Sequence, residues 1–106
     1  MQIADWRLTH NLVFTELVAL AAKRGLNRKH VLQFVTDLQE SPAIDVVFVN
    51  EEIHELALKY LNERLDKEWS LCDAVSFILM RAWRIQDALT TDHHFKQAGF
   101  RRLLRP

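Results

Sequence analysis

The sequence predicts an α/β fold, a parallel sheet covered by helices. Three observations carry that prediction. Segments with apolar residues at helical spacing alternate along the chain with short apolar or β-branched runs that read as strands. Apolar residues make up 49% of the 106 positions, which can build a core for one domain but not for two. Only two glycines and two prolines interrupt the chain, so long elements with short connections are expected.

Taken in order, Trp6–Thr9 is a short strand candidate. "NLVFTELVALAAKR" follows, with Leu12, Val13, Leu17 and Leu20 on one helical face and Gly25 as the stop. "RKHVLQFVTDLQE" is a second helix, ended by Ser41-Pro42. "AIDVVFVN" is rich in β-branched residues and reads as a buried strand. Asn50 caps the next helix, Glu51 to Leu65, whose apolar face holds Ile53, Leu56, Ala57, Tyr60 and Leu61. Ser70 opens a helix to Trp83 that is apolar on nearly every side, the mark of a buried central helix. "DALTTD" is a short strand. Asp92 caps a short helix, His93 to Gln97, which Gly99 stops, and "FRRLLR" is a last strand.

Several function classes are disfavoured. Formal net charge is zero, so no global basic field announces nucleic acid, although Lys96, Arg101, Arg102 and Arg105 crowd the end of the chain. Cys72 is the only cysteine, which rules out an intrachain disulfide and fits a reducing, cytoplasmic setting. The start, "MQIADWRLTH", does not read as a signal peptide, and no apolar run approaches the roughly 20 residues of a membrane span. "HELAL", His54 to Leu58, begins like a zinc-protease motif but has leucine where the second histidine belongs.

Three acids stand out: Glu16 in the first turns of its helix, Asp73 in the first turn of the buried helix, and Asp92 at the end of a strand. In a parallel sheet, strand ends and helix starts share one edge, so these acids can converge there. Clustered carboxylates repel one another, and a hard divalent cation such as magnesium or manganese relieves the repulsion. Each acid also has a plainer role. Asp73 lies three residues after Ser70 in a capping-box pattern, Asp92 can simply cap its helix, and Glu16 can sit in solvent. His93 and His94 read as exposed polar residues on a short helix.

"WSLCDAVSFILMRAWRIQDALTTDHHFKQAGFRRL" resembles the C-terminal half of a PIN domain. The first block reads Trp69, Ser70, Leu71, Asp73, Ser76, Phe77, Met80 and Arg81. The second reads Ala88, Leu89, Thr90, Asp92, His94, Phe95, Gln97, Ala98, Gly99 and Phe100. "LTHNLVFTELVAL" matches an N-terminal segment of the family more weakly, through Thr9, Asn11, Val13 and Glu16. The resemblance implies a three-layer α/β/α fold with a mostly parallel sheet. It implies a metal-dependent ribonuclease, often the toxin of a toxin–antitoxin pair. Glu16, Asp73 and Asp92 would be magnesium or manganese ligands and the catalytic acids. Thr90, Thr91 and Ser76 would support them, and Arg101, Arg102 and Lys96 would contact RNA phosphates.

The sequence departs from the family in one respect. The family's first strand, with its D-T-S-like aspartate, has no counterpart here, and Asp5 falls before a strand rather than after one. The expectation is a PIN-like domain lacking its usual central strand and first acid, with weakened metal binding. The gap is closed by the edge strands themselves, by a second copy in an intertwined dimer, or by residues preceding an internal Met1. The competing expectation is an inactive module that pairs with an antitoxin-like helix or with itself.

Overall fold

Chain ends and caps set the helix boundaries in a computed structural model that describes residues 8–88 and 93–102, the last of these by its backbone only. The described residues form two compact units, divided between Val49 and Asn50.

The first unit begins with β1 (Leu8–His10), which runs directly into α1 (Asn11–Lys23). Gly25 ends α1 at φ 69°, a left-handed conformation that glycine adopts without steric penalty. There the Leu26 N–H donates to Ala21 O and the Gly25 N–H to Ala22 O, the paired bonds of a Schellman motif. Asn27 then caps α2 (Arg28–Glu40) by accepting the His30 N–H at 3.0 Å. β2 (Asp45–Val47) pairs parallel to β1, with Thr9 opposite Val46.

The expected strand over residues 43–50 is therefore three residues long, and it is not buried. Phe48 is 59% exposed. The backbone beyond Val47 is diverted into other bonds: Val49 N–H donates to Asn11 Oδ1 at 2.7 Å, and Asn50 turns to cap the next helix.

In the second unit, Asn50 accepts the Ile53 N–H at 2.9 Å and starts α3 (Glu51–Asn62). The helix stops three residues short of Leu65. Glu63 and Arg64 turn back onto Lys59, Tyr60 and Leu61 carbonyls, leaving Leu65 81% exposed. α4 (Leu71–Ala82) packs on α3 and runs from its N-cap Ser70 to its C-cap Trp83, the expected limits. Ala74, Val75, Phe77, Leu79 and Met80 are buried along it, as its all-round apolar pattern requires.

α4 also ends in a Schellman motif, but with a non-glycine residue. Arg84 takes φ 57°, its N–H donates to Arg81 O, and the Ile85 N–H donates to Met80 O at 2.7 Å. β3 (Asp87–Ala88), α5 (His93–Gln97) and β4 (Arg101–Arg102) complete the unit. β3 and β4 are parallel, with Asp87 opposite Arg101. α5 closes in the same manner as the other two, at Gly99 (φ 96°), with Phe100 N–H on Phe95 O. The core here is Trp69, Phe77, Met80, Ala88, Ala98 and Phe100, flanked by Tyr60, Leu61, Ile85 and Phe95. No helix among the described residues is long and apolar enough to cross a membrane.

Candidate active site

Asp73 occupies the first turn of α4, and its local sequence places it there. Ser70 Oγ accepts the Asp73 N–H at 3.0 Å, and Asp73 Oδ2 accepts the Ser70 N–H at 3.1 Å. This is a reciprocal capping box, which satisfies two backbone donors that the helix start would otherwise leave open. The same Oδ2 lies 2.9 Å from Nδ1 of His94, on α5. The Asp73 and His94 side chains are 14% and 20% exposed, so this pair is largely withdrawn from water. His93 lies in solvent as expected, but His94 does not. Its contact spans 21 residues of sequence, which no local pattern reveals.

Three further clasps hold α5 and its following turn to one stripe of the α4 segment. Trp69 Nε1–H donates to Gln97 Oε1 at 3.0 Å. The Phe77 ring meets those of Phe95 and Phe100 at 4.9 and 5.6 Å. Arg81 donates from Nη2 to Ala98 O at 2.6 Å and to Tyr60 Oη at 3.4 Å, with its guanidinium 4.9 Å over the Phe100 ring. Asp73, Phe77 and Arg81 are four residues apart along α4, so they share one helical face, and Trp69 stands just before the helix cap, four residues ahead of Asp73. Each reaches a residue between 94 and 100. Trp69 is thus a packing residue, stacked on Tyr60 at 5.7 Å.

The other expected site residues are placed as follows. Ser76 is half-buried one turn beyond Asp73. Glu16 is exposed on α1, in the first unit. Thr90, Thr91 and Asp92 lie outside the described residues, as does the Arg102 side chain. Lys96 is exposed on α5. Arg101 is engaged: Nε and Nη2 donate to the two carboxylate oxygens of Asp87 at 2.7 and 2.8 Å. Those hydrogen bonds hold the Asp87 carboxyl below its ordinary value of 3.8, against an opposing effect of burial and with the guanidinium charge adding to them, and they raise Arg101. No group of three His, Cys, Asp or Glu side chains suited to a metal converges among the described residues.

No family model matches the chain. Two curated relatives do: the 23S rRNA-specific endonuclease VapC20 of Mycobacterium tuberculosis, from strains CDC 1551 / Oshkosh and ATCC 25618 / H37Rv. Each is 33% identical over 93 residues, covering 88% of this chain and 70% of the relative. The chain belongs to the VapC-type PIN-domain family. The crystal structure of M. tuberculosis VapC20, a sarcin-ricin loop cleaving toxin, matches with a TM-score of 0.83 and 29% identity, over 96% of this chain and 76% of that one. The helix-rich α/β architecture with small parallel sheets is accordingly the PIN-like fold that the sequence suggests.

Within that family frame, the two sequence blocks are one mechanical unit. Much of what makes them recognisable is the set of clasps, and Asp73 is the member that also brings a carboxylate. A signal for this was present in the sequence, the four-residue spacing of Trp69, Asp73, Phe77 and Arg81. Nothing local marked His94, Gln97 and Ala98 as their partners.

Proposed function

We propose that this chain is a VapC-type ribonuclease that hydrolyses RNA phosphodiester bonds with magnesium or manganese held by Asp73, Asp92 and Glu16. The observation that carries the reading is the oriented, largely buried carboxylate of Asp73 in a member of a family whose curated relatives here are rRNA-specific endonucleases. Asp73 fits a hard cation chemically. It supplies carboxylate oxygen, and its hydrogen bonds among the described residues all fall on Oδ2, leaving Oδ1 for a ligand. A cation so held supplies an activated water and stabilises charge on a phosphoryl oxygen. Ser70 and His94 keep Asp73 oriented, and Ser76, Thr90 and Thr91 support the acids. Lys96 offers an exposed ammonium to RNA phosphates, and Arg101 and Arg102 extend the same basic segment, with Arg101 shared with Asp87.

The test is manganese-dependent cleavage of a labelled 23S rRNA fragment by the 106-residue chain, beside Asp73→Asn. Cleavage by the parent and its loss by about 10²-fold or more in the variant is expected, since the substitution removes an anionic ligand. A parent chain that leaves the RNA intact in manganese and magnesium alike would defeat the reading.

One observation favours a second reading, a protein-binding module. Val18, Ala21, Leu26, Val31 and Leu32 line a groove of about 220 Å³ between α1 and α2, and Leu26 and Phe34 are 57% and 55% exposed beside it or on α2. An antitoxin-like helix or a second copy of the chain would cover such a face. Sedimentation of the isolated chain reads self-association directly: a monomer at all concentrations would remove the homodimer from this reading.

A further inference from the structure

We propose that His94 is a positioning residue, which fixes the carboxylate of Asp73 through Oδ2 so that Oδ1 is the oxygen presented to a divalent cation. The inference deepens the metal-dependent reading above and rests on it.

The capping box alone does not fix a carboxylate. It places one hydrogen bond, from the Ser70 N–H, on Oδ2, and the group can still rotate about that contact. His94 adds a second bond to the same oxygen from another element, at 2.9 Å. Two donors from different directions on one oxygen define the carboxylate plane and single out the other oxygen. An ionised carboxylate has no proton to give, so beside an ionised Asp73 the bond is donated by Nδ1–H.

His94 is itself held in place. Phe95, the next residue, is locked against Phe77. Gln97 is bound by Trp69, and the Gly99 turn returns Phe100 N–H to Phe95 O. The donor that would aim Asp73 therefore stands on a clamped element, as an outer support of a metal ligand should. Losing His94 leaves both bonds of the capping box intact, so the helix cap and the positioning role are separable by mutation.

The experiment compares the parent with His94→Ala, His94→Asn and His94→Gln. Two readouts are taken: the carbon-13 carboxyl resonance of Asp73 in metal-free protein, and manganese affinity by water-proton relaxation. An asparagine amide nitrogen falls where Nδ1 was, whereas that of glutamine falls nearer the position of Nε2. In His94→Ala the resonance shifts and manganese binds about 10- to 100-fold more weakly. His94→Asn recovers most of both, and His94→Gln does not. A purely structural role would show no such split between the two amides. An unchanged Asp73 resonance in His94→Ala, or equal behaviour of the Asn and Gln variants, overturns the positioning role. A parent chain that binds no manganese while His94→Ala still moves the resonance overturns the metal reading, and with it the cation half of this inference.

Discussion

Replacing Arg81 with methionine tests whether the clasp between α4 and the α5 turn carries stability. The substitution keeps an unbranched apolar stem and removes the guanidinium. Two interactions go with it. The first is the 2.6 Å hydrogen bond to Ala98 O, and a bond involving a charged group contributes about 1.5–3 kcal/mol net. The second is the stack on Phe100 at 4.9 Å, for which an exposed cation–π pair contributes about 0.5–1 kcal/mol. The 3.4 Å approach to Tyr60 Oη is too long to count for much. Arg81 is exposed, so the lower end of each range applies, and the expected loss is about 2 kcal/mol.

With a urea slope of about 1–2 kcal/mol per molar for a chain of this size, the unfolding midpoint falls by about 1–2 M. The assay is equilibrium urea unfolding followed by tryptophan fluorescence, to which the buried Trp69, stacked on Tyr60, contributes. Arg81→Lys keeps a charge but not the planar fork, so it recovers only part of the loss. A loss below about 0.5 kcal/mol for Arg81→Met would place it among ordinary surface substitutions. It would mean that the guanidinium is merely solvated and that the α5 turn is held by its aromatic residues alone.

Two further outcomes follow from the same unit. Phe77 is fully buried among Tyr60, Trp69, Phe95 and Phe100, so Phe77→Ala should cost about 3–5 kcal/mol and leave little or no cooperative melting transition by circular dichroism; a melt within a few degrees of the parent's would contradict this packing. Asp87, whose carboxyl is held below its ordinary value mainly by the Arg101 hydrogen bonds, contributes stability that is full above its unfolded value of 3.8 and is lost as pH falls through the lower folded value. Asp87→Asn should therefore lower stability at neutral pH while the two proteins converge only as pH falls through that lower folded value, and a difference that persists undiminished in acid would show that the ion pair is not its source.

Helices were the most legible part of the sequence, because their ends are written in single residues. Asn50, Ser70, Gly25 and Gly99 all act where their chemistry requires. The end of α4 was legible from its apolar run, but not the means of ending it, since Arg84 takes a left-handed backbone usually left to glycine. Strands were less legible. The β-branched run over 43–50 signals burial, but a run alone does not say what covers it. Its last residues are recruited by Asn11 and by the cap of α3. The capping role of Asp73 was legible, since Ser70 and Asp73 form the reciprocal box that their spacing suggests. The site was not legible for His94, whose partner is 21 residues away, or for Arg101, whose partner stands opposite it across two strands that were each expected but whose register was not.

The choice of aspartate at position 73 follows from this geometry better than from the cap. A capping box usually takes Glu or Gln at its third helical position, because the longer side chain reaches back to the cap residue's N–H without strain. The cap alone would accept either. Aspartate keeps the carboxylate one methylene closer to α4, and there a single oxygen serves both Ser70 and His94. The shorter acid therefore makes sense where the group has to be held still as well as present.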